Sequence, residues 1–243
     1  MKKKIVSLII AYVLVSPFVY AIAPAAVSAA AGTNQLDYRK QTTLTKDGKT
    51  SSIQESWYDP KTDDVRNDYF IPDSKEEYAN TSNYSLNNGT KSVTIYRDNK
   101  NQAVRGTYSI ESAKAAKAVI ESNQSFSIAF IKAEYKKPEW KKAGTVKDKK
   151  GKVLVKLSKK TSGKIMGKVK GKGVDLLEYA YIDKKTGLPV KTELFTLENG
   201  KKALQNTTLL EYDYIDYKES IFDISGVNLK KQTEISDGTD GLG

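Results

Sequence analysis

The sequence predicts an α+β fold built on an antiparallel sheet. Strand-like runs separated by short turns fill the chain on both sides of one Ala-rich segment that has helical spacing. The turns include Asp-Gly and Asn-Gly pairs, which are typical of tight β-hairpins. Because strands and helices are segregated along the chain, we expect sequential strands to pair antiparallel rather than through βαβ crossovers.

The N-terminus has the pattern of a secretory signal peptide. Lysines at positions 2–4 precede an apolar stretch, Pro17 and Pro24 break it, and small residues follow. Two small-x-small triplets fit a cleavage site, one that ends at Ala29 and one that ends at Ala31. We therefore assign residues 1–29 to a signal peptide and expect a secreted or cell-envelope protein. An uncleaved membrane anchor is the alternative, since the apolar stretch is long enough to span a bilayer.

The first group of strands is expected between residues 36 and 108. Alternation predicts strands at 36–44, 51–58, 65–71, 92–97 and 103–108, with Gly48 and Pro60 in the first two turns. In the third strand, Val65, Asn67 and Tyr69 share one face. Residues 72–91 are rich in Asn and Ser, so they predict a long loop with one helical turn at 74–78.

Helical spacing predicts two consecutive helices in the middle of the chain. Ser109 or Ser112 is the expected N-cap of the first helix, and residues 123–125 interrupt the pattern. The second helix carries Phe126 and Phe130 and is expected to end before Pro138.

Strand patterns return after the helices. They cover residues 140–146, 152–157, 165–174, 176–182, 189–197 and 203–214. The Asn199-Gly200 pair predicts a two-residue type I′ hairpin turn with positive φ at both positions. A short apolar element at 221–224 is expected to dock near the end of the chain. We expect a single domain over residues 30–229 and a disordered polar tail over 230–243.

The C-terminal half resembles a known superfamily. Residues 181–191 read Tyr-Ile-Asp-Lys-Lys-Thr-Gly-Leu-Pro-Val-Lys, residues 198–201 read Glu-Asn-Gly-Lys, and residues 222–224 read Phe-Asp-Ile. This order resembles the LolA/LolB-like lipoprotein-carrier superfamily, which includes RseB/MucB-like sensors and exported proteins of Gram-positive bacteria. The resemblance covers residues 176–224, and the N-terminal half agrees with the superfamily in layout only.

The resemblance implies an antiparallel sheet curved into an incomplete (half) β-barrel with helices plugging the open face. It also implies an apolar cavity between sheet and helices, for which we select Trp57, Tyr69, Phe126 and Phe130. The two phenylalanines are equally compatible with an ordinary core. The chain departs from the superfamily in having no lipobox cysteine, and none of its four arginines is assigned to holding a closed state.

The composition argues against several classes of enzyme. The chain contains neither Cys nor His, which removes ordinary zinc sites and nucleophiles that depend on Cys or on a Ser–His pair. The acidic residues Glu111, Glu121, Glu134, Asp213 and Asp216 have no diagnostic spacing for a glycosidase. Residues 237–241 echo a calcium loop but lack its closing Glu. We expect no enzyme activity, no cofactor and no metal site.

Positive charge is concentrated in one segment. Between Lys132 and Lys172 (residues 132–172) sixteen lysines face three acidic residues, whereas the whole chain carries a net charge of +11. Such a basic stripe attracts polyanions. The alternative is a solvated face that discourages edge-to-edge pairing of strands.

Within the stripe, alternation places Lys152, Leu154 and Lys156 on one face of a strand, and we expect Val153, Val155 and Leu157 on the opposite face to be buried. We expect the four lysines Lys152, Lys156, Lys159 and Lys160 to be exposed and to bind anionic surfaces.

Two functions are predicted. The first is an exported, non-enzymatic binding protein that holds a lipid, acylated or other amphipathic ligand between sheet and helices, as a carrier or envelope sensor. The alternative is a cell-envelope interaction protein that binds anionic wall polymers or the membrane surface through the basic stripe. An apolar pocket of a few hundred Å³ would favour the first function, and a packed interior the second. Export argues against nucleic acid as a partner.

Overall fold

The computed structural model describes residues 34–72, 74, 80–98, 100, 102–163, 174–198 and 200–232. The described residues form one sheet of twelve strands and two short α-helices. The strands are β1 (Gln35–Thr45), β2 (Thr50–Tyr58), β3 (Val65–Phe70), β4 (Asn80–Leu86), β5 (Lys91–Arg97), β6 (Ala103–Ile110), β7 (Lys141–Lys147), β8 (Val153–Gly163), β9 (Val174–Asp183), β10 (Pro189–Glu198), β11 (Lys201–Asp216) and β12 (Leu229–Lys231). The helices are α1 (Ala113–Asn123) and α2 (Ile128–Glu134).

The sheet consists of two meanders joined side by side. Its strand order is β12-β6-β5-β4-β3-β2-β1-β11-β10-β9-β8-β7. All neighbours are antiparallel except β12, which pairs parallel with β6. The contact between the two meanders is the pairing of β1 with β11, from Gln35 opposite Asp216 to Thr45 opposite Asn206. The predicted antiparallel sheet is confirmed. The sheet is not closed into a barrel, since β12 and β7 end the strand order.

The helical segment between the meanders contains the two predicted helices, but Phe126, which was expected in the second helix, lies before it in a 3₁₀ turn. Ser112 caps α1, because its side-chain oxygen accepts a hydrogen bond from the Ala115 amide at 3.3 Å. A short 3₁₀ turn at Gln124–Phe126 separates the helices. Ser127 then caps α2 by accepting a hydrogen bond from the Phe130 amide at 3.0 Å. In the described part of the chain, no helix is both long and apolar enough to cross a membrane.

Two expectations about the strands were wrong. Residues 80–86, assigned to a long loop, form β4, which pairs with β3 and β5 over its full length. Its Asn and Ser residues have low intrinsic β propensity, so pairing with its neighbours overrides the local preference. Lys230 and Lys231, assigned to the disordered tail, belong to β12. The predicted strand at 165–174 and the signal peptide lie largely or wholly outside the described residues, as does the rest of the tail.

The pleat gives the sheet two faces with different neighbours. On β1 the Asp37 carboxylate accepts a hydrogen bond from the Ile128 amide of α2 at 2.8 Å, and Arg39 lies 5.2 Å from the ring centroid of Phe126. We call the face that carries Asp37 and Arg39 the inner face, and the opposite face the outer face. Since side chains alternate and the register is known, these two residues assign every paired position to one face.

Apolar clusters lie on both faces. On the outer face of the first meander, Tyr84, Leu86, Val93 and Ile95 pack beneath residues 222–229. The apolar element predicted at 221–224 is therefore confirmed as docking on the sheet. On the inner face of the second meander, one cluster contains Ile128, Ile131 and Leu188, and a second contains Trp140, Ala180 and Ile182.

Candidate functional site: a basic and aromatic face

The four residues selected for an apolar cavity do not share one face. Tyr69 lies on the inner face, because it pairs with Gln54, two positions from Ser56, which stands opposite Arg39. Phe126 contacts Arg39 on that same face. Trp57 lies on the outer face, where its ring centroid is 5.5 Å from that of Tyr38. The assignment of Trp57 to the cavity was wrong, since its position in the strand is of opposite parity to that of Ser56.

The interface between the helical segment and the inner face of the sheet, which we call the seam, contains aromatic and charged groups. Ile128 and Ile131 of α2 pack with Leu188, and Tyr135 and Tyr212 complete this cluster. Arg39 lies near the same two tyrosines, and burial lowers the pKa of its guanidinium from the ordinary value. Phe130, the fourth selected residue, lies in α2 with the Lys137 ammonium 5.7 Å from its ring centroid.

Two surface depressions lie away from this seam. The first, of about 640 Å³, lies between β1, β2 and β11, and residues such as Thr43, Asp47 and Gln205 line it. The second, of about 280 Å³, lies against β2–β5, and Glu55, Asp68 and Arg97 are among its lining residues. Among the described residues, no group of three or more acidic side chains is placed to hold a metal ion.

The four selected lysines of the basic stripe are divided between the two faces. Lys156 pairs with Tyr181 on the outer face. By alternation, Lys152 and Lys160 lie on the outer face as well. Lys159 lies on the inner face, where its side chain is only 17% exposed. Its ammonium lies 3.6 Å from the Glu134 carboxylate and 3.8 Å from that of Glu139. The expectation that Lys159 is exposed was therefore wrong.

The burial expected along this strand also differs in part. Leu154, on the lysine-bearing outer face, is buried at 4% exposure, whereas Val153 on the inner face is 40% exposed. Lys152 is exposed, but its ammonium contacts the Asp183 carboxylate at 2.7 Å. The alternation was predicted correctly, and Val155 and Leu157 pack against the inner-face cluster of Trp140, Ala180 and Ile182 as expected. The burial of Leu154 and the exposure of Val153 were not expected.

Two lysines from different strands converge on Tyr179. The Lys156 ammonium lies 3.8 Å from the centroid of the Tyr179 ring. The Lys202 ammonium donates a hydrogen bond to the Tyr179 hydroxyl at 2.6 Å and lies 5.1 Å from the ring centroid. None of the ion pairs among the described residues includes Lys156 or Lys202. An aromatic ring therefore positions these two charges, and neither forms an ion pair with a carboxylate among the described residues.

Tyr181 continues this arrangement along β9. The Lys191 ammonium lies 4.0 Å from the centroid of the Tyr181 ring and 2.8 Å from the Glu193 carboxylate. The Tyr181 hydroxyl donates to the same carboxylate at 2.6 Å. Burial acts against ionisation, but the hydrogen bonds from Lys191 and Tyr181 hold the pKa of Glu193 below its ordinary value. Glu193 therefore stays ionised, forms an ion pair with Lys191 and interacts at longer range with Lys156.

More lysines surround the hairpin of β7 and β8 at the edge of the sheet. Asp148 is the only acidic residue between positions 141 and 163. Its carboxylate accepts hydrogen bonds from the backbone amides of Lys150 and Lys152, both at 2.8 Å, so it shapes the turn. Five other lysines of the hairpin are exposed, namely Lys141, Lys142, Lys147, Lys149 and Lys150. Lys141 pairs with Ser158 on the outer face, whereas Lys142 and Lys147 pair with Leu157 and Val153 on the inner face, so the edge strand adds positive charge to both faces.

Sequence reasoning missed Tyr179, Tyr181, Lys191 and Lys202 as members of this site. Tyr179 and Tyr181 alternate within a confidently predicted strand, so a shared face was visible in the sequence. Which lysines lie across from them depends on the register of β8, β9 and β10, including the irregularity between Leu194 and Phe195. That register is a property of the folded sheet and has no local signal.

Comparison with known proteins gives distant structural likenesses. No protein-family model matches the chain, and no curated protein matches it. The chain is similar to MucB in a complex with MucA(peri), at 14% identity and a TM-score of 0.38, over 79% of this chain and 55% of that one. Similarity to the Pseudomonas aeruginosa MucA/MucB complex is comparable, at 14% identity and a TM-score of 0.37, over 78% of this chain and 55% of that one.

A β-barrel-like protein from Brucella abortus, a domain of unknown function, matches at 14% identity and a TM-score of 0.19, over 78% of this chain and all of the other. The chain spans about half the length of the MucB chains that it matches, with 55% covered. Likenesses at this level assign neither a family nor a function.

Proposed function

We propose that the protein is an exported, non-enzymatic binding protein that attaches to anionic wall polymers or to an anionic membrane surface. The contact surface is the basic face, which we define as the outer-face lysines of β8–β11 together with the lysines of the β7–β8 hairpin. The observation that carries the proposal is the convergence of Lys156 and Lys202 on Tyr179 with no carboxylate partner among the described residues.

Fixed lysines suit polyanion binding better than freely moving ones. A lysine held over an aromatic ring has already lost much of the rotamer freedom that binding would otherwise remove. The ammonium groups of Lys156 and Lys191 lie 3.8 and 4.0 Å from the ring centroids of Tyr179 and Tyr181. A ring covers only one side of an ammonium group, so phosphate or carboxylate groups can approach Lys156 from the other side. Displacement of counterions from the polymer then favours binding at low salt.

The proposal is tested by cosedimentation with vesicles that contain anionic lipid and with purified teichoic acid. The test variant replaces Lys156, Lys160 and Lys202 by Gln, and the matched control replaces three other exposed lysines, Lys46, Lys114 and Lys218. Both variants lose the same charge, so a difference between them reports the location of the site. Wild-type binding should weaken steeply as salt rises from about 0.05 to 0.2 M. Equal binding by the two variants would refute the basic face as the contact surface.

Export is a separate part of the proposal. The lysines at positions 2–4, the apolar stretch and the small residues up to Ala29 support it. N-terminal sequencing of protein recovered from the culture medium or cell envelope of the native host should return Ala30. Recovery of a chain that begins at Met1 would indicate an uncleaved anchor.

A ligand between helices and sheet is the second candidate function. The observation that favours it is the half-buried guanidinium of Arg39 at the seam, which rests on Phe126 and lies beside Tyr135 and Tyr212. A lipid or acylated peptide with an anionic headgroup would place an acyl chain against the α2 cluster after that helix moves. Native mass spectrometry of protein purified from its own host should then detect a bound lipid, and a ligand-free mass would count against this candidate.

A further inference from the structure

The inner face of β2–β6 is polar but almost uncharged. The register of β2–β6 aligns fifteen inner-face residues in three transverse rows, and fourteen of them carry no charge. Charged residues make up 28% of the whole chain, so this face differs sharply from the remainder of the protein. The rows are Gln54-Tyr69-Thr81-Tyr96-Arg105, Ser56-Asn67-Asn83-Thr94-Thr107 and Tyr58-Val65-Ser85-Ser92-Ser109.

Hydrogen bonds fix the orientation of the two side-chain amides of the middle row, those of Asn67 and Asn83. The Asn67 oxygen accepts from the Gln54 amide and from the Ser56 hydroxyl, both at 2.8 Å. The Asn83 oxygen accepts from the Thr94 hydroxyl at 2.9 Å. Because each oxygen is used internally, the NH₂ groups of Asn67 and Asn83 are the donors that remain for a ligand. Asn67 and Asn83 stand directly opposite each other on β3 and β4.

An aromatic row runs beside the amide row. Tyr69 and Tyr96 belong to it, separated by Thr81 on the strand between them. Adjacent strands are about 4.8 Å apart, so the five strands span roughly 19 Å across the rows. The Arg105 guanidinium lies 4.6 Å from the centroid of the Tyr96 ring, so the ring surface that this face offers is that of Tyr69. The Tyr69 ring lies next to a line of amide and hydroxyl groups that spans the length of several sugar units.

The covering elements leave much of these two rows accessible. Helix α1 contacts the third row at Ser85. There the side-chain amide of Asn123, the last residue of α1, donates to the Ser85 hydroxyl at 2.8 Å and to the Asp63 carbonyl at 2.7 Å. In the middle row Asn83 is exposed, and in the aromatic row Tyr69 and Thr81 are half-buried. A ligand can thus reach the amide and aromatic rows while α1 stays in place.

From this geometry we infer that the inner face of β2–β6 binds a neutral glycan chain. Sugar hydroxyl and ring oxygens accept hydrogen bonds from the Asn67 and Asn83 amides, and the apolar face of a sugar ring packs on Tyr69. An acyl chain would leave the amides and hydroxyls desolvated without partners, which disfavours it here. A polyanion would find almost no positive charge on the two rows, apart from Arg105 at the last strand. The inference is independent of the proposed function, because the basic face lies on the other meander.

The test is isothermal titration calorimetry of the full mature chain with cellohexaose and chitohexaose, and with oligogalacturonate as an anionic counterpart. Wild type should bind at least one neutral hexamer with an affinity that changes little with salt, since no ion pair forms. Asn83→Asp replaces the donor NH₂ by a carboxylate of the same shape and keeps an acceptor for Thr94. It should weaken binding roughly five- to tenfold, the effect of one lost hydrogen bond. Asn228→Asp, the same change at an exposed site on the C-terminal segment, is the control and should have no effect.

A second pair of variants tests the aromatic row. Tyr69→Phe keeps the ring and should retain binding, whereas Tyr69→Leu should lose it, with circular dichroism confirming that both remain folded. The inference is overturned if neither neutral hexamer binds, if Asn83→Asp and Tyr69→Leu bind as wild type does, or if oligogalacturonate binds more tightly than the neutral sugars. Binding of an uncharged unfolded peptide in preference to the sugars would also overturn it.

Discussion

Gly106 is expected to control the docking of the C-terminal segment on the outer face. It lies on β6 opposite Leu229 of β12. A Cβ atom at this position would lie 2.3 Å from Leu229 Cδ2 and 3.1 Å from Val227 Cγ1. Both distances are shorter than a normal contact, so Gly106→Ala forces two apolar side chains to move. Leu229 and Val227 pack against the cluster that contains Val93 and Ile95, and their displacement opens that cluster.

The cost follows from overpacking. Forcing one methyl group into a packed site costs about 1–3 kcal/mol. Leu229 is half-buried and its Cδ2 is the end of a flexible side chain, which places the expected value in the lower part of this range. For a protein of about this size, 1 kcal/mol corresponds to a change of roughly 2–4 °C in Tm. We expect Gly106→Ala to lower Tm by roughly that amount, measured by circular dichroism and checked by urea unfolding.

A double-mutant cycle separates the clash from other effects of the added methyl group. Leu229→Ala removes the atom that the new Cβ would meet most closely. If the clash is the cause, Gly106→Ala should cost clearly less in the Leu229→Ala background than in wild type, which gives a coupling energy of at least about 0.5 kcal/mol. Equal costs in both backgrounds, or a neutral Gly106→Ala, would refute the close approach of β12 to β6.

Three further variants test local features of the second meander. Gly200 has φ +75°, so Gly200→Val should cost about 1–3 kcal/mol of stability, and an unchanged Tm would contradict the tight turn. Burial raises the pKa of Glu178 above its ordinary value of 4.5. The Glu178 carboxyl therefore holds its proton to higher pH in the native state than in the unfolded chain. The free energy of unfolding should fall as pH rises from the unfolded pKa of Glu178 to its native pKa. Glu178→Gln should be more stable than wild type at pH 7 and should lose this pH dependence in urea unfolding.

The hydrogen bond from Lys152 keeps the pKa of Asp183 below 3.8, so its contribution is present above that pH and lost as pH falls through the native pKa. Lys152→Gln should make acid unfolding begin at higher pH, and identical acid titrations would contradict this pairing.

The strands that sequence could predict are those whose signals are local. The β9–β10 hairpin is indicated by its turn residues 184–188, and the β10–β11 hairpin by Gly200, where strand alternation resumes on both sides. By contrast, β4 has four Asn or Ser residues, at positions 80, 82, 83 and 85, and only Tyr84 and Leu86 as larger apolar side chains. It forms because β3 and β5 supply hydrogen-bond partners on both sides. Nothing within residues 80–86 contains that information.

The placement of functional side chains was predictable only in part. Lys156 and Lys160 are an even number of residues apart, so they share the outer face. Lys159 is an odd number of residues from Lys156, and strand alternation therefore places it on the inner face. The sequence contained this signal. It did not contain the fact that Glu134, from the helical segment, meets Lys159 on the inner face. Trp57 and Tyr69 were grouped as cavity residues, but their faces follow from the pairing of β2 with β3, which is set by the register.

The two proposed binding surfaces differ in chemistry because they occupy opposite faces and different halves of one sheet. The basic face depends on Lys156 and Lys202 in the second meander, and the neutral face on Asn67 and Asn83 in the first. The two sets share no hydrogen bond or ring contact among the described residues, and substitutions at separated sites without shared partners add. Asn83→Asp should therefore leave anionic-surface binding unchanged, and Gln at positions 156 and 202 should leave glycan binding unchanged. Salt should distinguish the surfaces as well, because it screens the lysine contacts but not hydrogen bonds between uncharged groups. A protein with both surfaces could hold a neutral glycan and an anionic polymer at once, one on each side of the sheet.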